Sequence, residues 1–376
     1  MFNKINAWLH LWLGLASGII VVIVSITGCI LVFEQEIVSF SSPWLHVEEQ
    51  AAEKQLPPSE IYNAVKTAMP DKEVKSLWYE GLDRSIQVTI DSDSLVYVNP
   101  YTAKIMAVVD HEDIFHIVED GHFYLWLPRE IGEQFTGWGT FIFFLLTISG
   151  LILWFPKKWN KANRDMSFKI KWKARFKRLN YDLHNVLGFY SFLLALIMAF
   201  TALVMSFNWF RQSAYWASGG WQDKEQKEEP IAVKDSITKP ERDKLILADS
   251  IWKKVRRDIA EKDKEAVIIS IQEKPGESIY ACTDMHNGAW RDLYFDPQTL
   301  KLLPDTQKRI GDERFADWLR RSNYGLHTGT VGGLTTKILY FIASFICASL
   351  PITGFIIWWG RKKKKKKSPQ KGKKAI

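Results

Sequence analysis

Four stretches of the chain contain no Asp, Glu, Lys or Arg: 5–33, 135–156, 185–210 and 338–360. Each is longer than the roughly 20 helical residues needed to cross a hydrocarbon core of about 30 Å. Helices in the core of a soluble protein seldom run this far without a charge, because one face meets water. Between these runs the pattern changes to alternation. After the first come "SLWYEG", "SIQVTID" and "LVYVNPYTAKIMAVV"; after the third come "AVIISIQ", "SIYACTD" and "RDLYFDPQTLKLLP". A period of two predicts half-buried strands, and the Asn-Pro and Asp-Pro dipeptides predict the turns that close hairpins. Helix-like openings, "PPSEIYNAVKTAMP" and "KPERDKLILADSIWKKVRRDIA", precede each set. Each module is thus expected to hold one helix and about three antiparallel strands.

The predicted fold class is a membrane protein: a four-transmembrane-helix bundle with two extracytoplasmic α+β modules. The expected order is transmembrane (TM) helix 1 over 5–35, outer module 1 over 36–121, then an outer histidine segment with TM helix 2 over 122–156. A basic loop follows at 157–178, and TM helix 3 spans 179–210. A linker and outer module 2 occupy 211–322, and a second histidine segment with TM helix 4 occupies 323–360. A basic tail closes the chain at 361–376. Within 211–322, the charged, Pro-containing segment 219–240 predicts a linker or mobile loop. An internal two-fold repeat underlies this order. Asn6, Leu9, His10, Leu13 and Gly14 recur 174 residues later as Asn180, Leu183, His184, Leu187 and Gly188.

Charge sets the expected orientation. The loop 157–178 holds ten Lys/Arg and one Asp, and 361–376 holds ten more Lys/Arg. Short, strongly basic segments stay cytoplasmic, so both termini are expected inside and the two modules outside. The net charge of +8 then reflects topology and lipid headgroups, with no nucleic-acid partner implied. Many of the 17 tryptophans flank the apolar runs, as in an interfacial aromatic belt. Three cysteines make no disulfide framework. "ITGC" at 26–29 resembles a lipoprotein cleavage box, but apolar "ILVF" follows it, and the matching "FTAL" at 200–203 lacks the Cys. An uncleaved anchor is therefore expected.

A family resemblance emerges from several segments. These are "DLHNVLGFY", "VYVNPYTAKIMAV", "LYFDPQTLKLL", "GHFYLWLPREIGEQFTGW…ISGLILWF" and "NYGLHTGTVGGLTTK…PITGFIIWW". Over nearly its whole length the chain resembles the PepSY-associated transmembrane family, iron-regulated membrane proteins that include ferric-siderophore reductases. The resemblance implies PepSY-like outer modules, location in the bacterial inner (cytoplasmic) membrane with the modules in the periplasm, and b-type haem for electron transfer.

Histidines give the candidate chemistry. His10 and His184 start outward-going spans; His122 and His327 precede inward-going ones. Two pairs on opposite faces are the arrangement for two bis-histidine haems (haem b), since neutral imidazole is a good iron ligand and bundles hold cofactors between facing helices. Gly14 and Gly188, one turn after their histidines, would let a porphyrin lie flat. Gly329, Gly332 and Gly333 after His327 are expected to do the same, with weaker support for His122 from Gly121, Gly132 and Gly137. A histidine at a membrane surface also serves simply as an interfacial residue, but ionisable groups at membrane depth are costly enough to point to function. His116 rivals His122 as outer ligand. Its acidic segment, with His111, Asp113, Glu119 and Asp120, offers a metal site or, as the preferred reading, a solvated helix surface.

No phosphate-binding glycine loop, nucleotide fingerprint, C-x-x-C or H-E-x-x-H occurs. The expected function is an oxidoreductase: a di-haem transmembrane electron-transfer protein that reduces a periplasmic ferric complex for iron acquisition. Its electron donor would be separate, a soluble reductase or a quinol. The alternative is a membrane-anchored PepSY binding or regulatory protein that modulates proteases without redox activity. A transporter is disfavoured, because the apolar runs hold no charged relay.

Overall fold

A computed structural model describes residues 2–366 except 92–93, 111–112, 157, 221–242, 261–264, 272–273, 275–276 and 286–287. Most of the expected 219–240 linker and of the basic tail lies outside the described residues. The chain forms two compact units: a helical one from Met1–Phe33, Ile117–Gln212 and Leu326–Ile376, and a sheet one from Glu34–His116 and Ser213–Gly325.

Among the described residues the helical unit has four helices long and apolar enough to cross a membrane: span 1 (Phe2–Leu31), span 2 (Arg129–Trp154), span 3 (Phe176–Ser206) and span 4 (Gly333–Lys366). Each packs against two others, closing a ring in the order 1-2-3-4. Small side chains fill the inward faces: Ser17, Ala195, Ala199, Ala343, Cys347 and Ala348 are buried. A Cβ on Gly18 would lie 3.2 Å from Pro351, so spans 1 and 4 touch there. Large apolar residues such as Ile19, Leu193 and Phe345 point outward. This inside-out distribution suits lipid, where helices gain by close approach instead of by hiding apolar surface. Span 3 contains one π-turn, Leu183–Leu187, which carries His184; such turns recur at functional sites.

Two tight turns aim the remaining histidines. His122 rides on the helix Ile114–Tyr124, which ends with Leu125 and Trp126 both at φ 56°. That left-handed pair is held by Trp126 Nε1–H donating to the Ile117 carbonyl at 2.7 Å, with the indole against Gly121. A Cβ on Gly132 would sit 2.3 Å from the Tyr124 carbonyl oxygen, so only glycine lets span 2 start so close. His327 lies on the short helix Asn323–Thr328. Gly329 follows at φ 78° with Tyr340 pressed against its α-carbon, turning the chain into span 4.

The sheet unit departs from the expected pair of separate modules. The first stretch supplies four strands, β1 (Val74–Tyr79), β2 (Ile86–Ile90), β3 (Ser94–Val98) and β4 (Ile105–Asp110). The second supplies three, β5 (Val267–Ser270), β6 (Ile279–Thr283) and β7 (Arg291–Phe295). All seven form one antiparallel sheet in the order β4-β3-β2-β1-β5-β6-β7. The seam is β1 against β5, with Leu77 opposite Ile269, both fully buried. Two short sheets would each expose an unpaired edge at this point; joining them satisfies both rows of backbone groups. The arm after β7 folds back along it: Leu302 bridges Phe295, and Leu303 and Gln307 N–H donate to the Tyr294 and Asp292 carbonyls at 2.8 and 3.0 Å. Helices Pro58–Ala68 and Lys244–Lys254 contribute Ile61, Val65, Leu247 and Ile251 to one shared core. The Asp249 carboxylate joins them by accepting from Ser59 N–H at 2.8 Å and Ser59 Oγ–H at 2.7 Å, at the end of a helix where free amides favour an anion. The Asn-Pro and Asp-Pro turns form alike: Asn99 Oδ1 accepts from Tyr101 N–H, and Asp296 Oδ1 from Gln298 and Thr299 N–H.

Candidate functional site: two facing histidine pairs

The helical unit brings His10 beside His184 and His122 beside His327. Ring centroids are 6.4 Å apart in the first pair, with planes at 88°, and 6.2 Å apart in the second, with planes at 64°. With metal–nitrogen bonds of roughly 2 Å and a ring nitrogen roughly 1.2 Å from its centroid, two imidazoles on opposite sides of one metal have centroids about 6.4 Å apart. Both pairs match that spacing. They sit at opposite ends of the bundle, since His10 and Thr27, which bonds His122, are seventeen residues apart on span 1, roughly 25 Å of helix.

Hydrogen-bond directions follow from counting protons. Thr27 Oγ1 donates to its own helix, to Ile23 and Val24 carbonyls at 2.8 and 3.0 Å, so it can only accept from His122 Nδ1, 3.0 Å away. Thr201 Oγ1 likewise donates to the Ile197 and Met198 carbonyls and accepts from His327 Nδ1 at 3.1 Å. Thr353 Oγ1 donates to Ser349 and Leu350 carbonyls and accepts from His184 Nδ1 at 2.9 Å. Ser149 Oγ donates to Asn6 Oδ1 at 2.8 Å and accepts from His10 Nδ1 at 3.1 Å. The proton of every neutral imidazole is therefore on Nδ1, and every Nε2 carries a free lone pair. This is the outer-shell pattern that fixes tautomer and ring orientation in a metal-binding histidine.

The supports cross between helices in a regular way. Span 2 holds the histidine of span 1, and span 1 holds the histidine that precedes span 2. Spans 3 and 4 do the same. Each hydroxyl is followed by a small residue, and three of these press on the ring just oriented. A Cβ on Gly28, Gly150 or Gly354 would lie 3.3 Å from Cε1 of His122, His10 or His184 respectively. The fourth, after Thr201, is Ala202. Within each half the hydroxyls orient the rings, while each histidine pair joins one half to the other.

A cavity of about 360 Å³ opens beside His10 and His184, bordered also by Gly14, Gly18, Gly188 and Arg361. Its size falls in the usual range of cofactor pockets, roughly 300–1,000 Å³. Gly14 and Gly188 have only ordinary contacts, Leu146 at 3.9 Å and Leu350 at 3.6 Å, so their missing side chains leave space. Of the other glycines flanking histidines, Gly333 is also open, Gly332 is filled by Thr336, and four more depart from the sequence expectation. Gly121, Gly132, Gly137 and Gly329 are filled by Trp126, Tyr124, Phe207 and Tyr340, and so serve turns and helix contacts.

The two rivals for outer ligand separate clearly in position. His122 faces His327, whereas His116 is exposed and its amide bonds Asp113 Oδ1 at 3.0 Å. His111 lies outside the described residues. Among the described residues no group of three or more His, Cys, Asp or Glu is placed to hold a metal ion. Paired donors are too few for a bare ion, which takes four or more ligands, but suit a metal whose other positions a macrocycle fills. The donor set and its spacing thus fit a haem.

Sequence reading missed the hydroxyls and their glycines. A signal was present: Thr27-Gly28, Ser149-Gly150, Thr201-Ala202 and Thr353-Gly354 place one hydroxyl–small dipeptide in each span.

Fold and site together define a four-span membrane protein with a matched histidine pair at each end of its bundle. A family model described as "PepSY-associated TM region" matches residues 7–361, and the chain belongs to that family. No curated protein matches the chain.

Proposed function

We propose that this protein is a di-haem transmembrane electron-transfer protein that serves iron acquisition. It passes single electrons from a donor at the cytoplasmic face, a soluble reductase or a quinol, to a ferric complex such as a ferric siderophore outside. Each electron converts one ferric ion to the ferrous state, which ligands built for ferric iron hold less firmly. The observation that carries this reading is the pair of imidazole spacings, 6.4 and 6.2 Å, with every Nδ1 engaged and every Nε2 free.

His10 and His184 would hold the inner haem b, and His122 and His327 the outer one. Haem supplies reversible one-electron chemistry when bound. Ser149, Thr353, Thr27 and Thr201 keep the ligating nitrogens unprotonated and aimed. Gly14 and Gly188 leave room for the macrocycle, and the apolar spans exclude water. The basic 157–178 segment supports a reading in which the His10–His184 end faces the cytoplasm across a bacterial inner membrane and the sheet unit faces the periplasm. The reciprocal hydroxyl pattern supports the internal two-fold repeat, since Asn6/Asn180, His10/His184 and Thr27/Thr201 keep one offset of 174.

The test is a visible spectrum of detergent-purified protein from haem-replete cells, before and after dithionite. The expected result is a b-type Soret band that sharpens on reduction, with two haems per chain. A protein free of haem overturns the reading and leaves the binding or regulatory one.

A further inference from the structure

The four histidines are not supported equally. His184 Nδ1–H is shared between Thr353 Oγ1 and the Leu350 carbonyl at 2.9 and 3.1 Å. His327 Nδ1–H is shared between Thr201 Oγ1 and the Met198 carbonyl, both at 3.1 Å. His122 has Thr27 Oγ1 and the Val24 carbonyl. His10 has Ser149 Oγ alone among the described residues. Ser149 also differs from the three threonines in where its proton goes. It donates across to Asn6 Oδ1, and Asn6 Nδ2–H returns a bond to the Ser149 carbonyl at 3.2 Å. Asn180, at the matching place, also donates to the backbone of the facing span, the Thr353 carbonyl at 3.0 Å, yet takes no proton from the Thr353 hydroxyl.

We propose that Asn6 and Ser149 are positioning residues that act through His10 and set the ligand strength of the inner site separately from the outer one. This rests on the haem reading of the two pairs. A hydroxyl that gives its proton to an amide oxygen is a stronger acceptor, because hydrogen bonds in a chain polarise one another. A stronger acceptor at Nδ1 makes Nε2 a more basic ligand, which favours the ferric state. Elsewhere a backbone carbonyl backs up the hydroxyl, and no side-chain replacement removes it. At His10 the whole effect passes through one serine and its asparagine.

The experiment uses the full-length haem-loaded protein. Haem per chain is measured, and each haem is followed by redox titration and by its low-spin electron paramagnetic resonance signal. Ser149→Ala is expected to raise the midpoint potential of one haem, to weaken its binding about 10- to 100-fold, and to leave the other unmoved. Ser149→Thr is expected to restore the parent potential. Asn6→Leu is expected to shift the same haem in the same direction, and carries the test if Ser149→Ala does not fold. Thr27→Val is expected to move the other haem by less. Potentials unchanged in Ser149→Ala, or both haems shifted alike, would overturn the proposal. A parent protein without haem would instead sink the reading beneath it.

Discussion

Thr27 Oγ1 and His122 Nδ1 lie 3.0 Å apart although 95 residues separate them along the chain. Ser149, on span 2, makes a matching contact with His10 on span 1. Span 1 thus orients one histidine and has its own oriented by span 2 before any cofactor is considered. Rings buried in apolar surroundings with a fixed tautomer are preorganised ligands, which lowers the ordering cost of binding.

Loss of either member of a pair is expected to remove the same cofactor. His10→Ala and His184→Ala should each leave one haem per chain, and the double variant should also leave one. His10→Ala combined with His122→Ala should leave none. Pyridine haemochrome assay against protein concentration checks the pattern. Independent losses from His10 and His184 would contradict a shared site.

Gly354 tests the small residue beside each ring. Its Cβ would lie 3.3 Å from His184 Cε1, so Gly354→Val has to push the imidazole aside. Overpacking of this kind costs about 1–3 kcal/mol. Circular dichroism is expected to show the helices retained, while the inner haem is lost or its absorption maximum moves.

Gly132→Ala should act on the turn instead. Its methyl would meet the Tyr124 backbone at 2.3 Å, where no side chain can swing away. A loss of about 1–3 kcal/mol is expected, read as a lower melting temperature in detergent. The outer haem should suffer more than the inner, because this turn delivers His122.

The β1–β5 seam and the shared core predict that the sheet unit opens as one body. Leu77→Ala or Ile269→Ala should cost about 2–5 kcal/mol each. Hydrogen exchange should then show faster opening in both the 74–110 and 267–295 strands. Loosening confined to one set of strands would mean that the two halves unfold separately.

Glu80 gives the sheet unit a pH dependence. Burial holds its carboxyl above the usual range, against a smaller downward pull from Arg84. A carboxyl with a raised folded-state pKa binds its proton more tightly when native, so its contribution to stability is present at low pH and lost as pH rises through the folded value. Glu80→Gln removes that loss. The variant should melt higher than the parent at neutral pH, with the gap closing toward about pH 4.

The spans and hairpins were legible because they rest on local signals. A charge-free run marks a span wherever it occurs, and Asn99 and Asp296 build their turns from their own side chains. The β1–β5 pairing was not legible, since nothing within either strand names a partner 190 residues away. The histidine pairing followed from span direction alone. The hydroxyls did not, because a Ser or Thr inside an apolar helix ordinarily bonds its own backbone. Thr27, Thr201 and Thr353 do that too; only packing reveals that their lone pairs face an imidazole. Gly329 and Gly132 looked like flat surfaces for a ligand, but a Tyr ring and a backbone turn occupy those places.

Because both histidine pairs straddle the boundary between residues 2–154 and 176–366, neither segment alone can grip a metal from two sides. Each segment holds one histidine of every pair, so both pairs exist only while the two segments stay together.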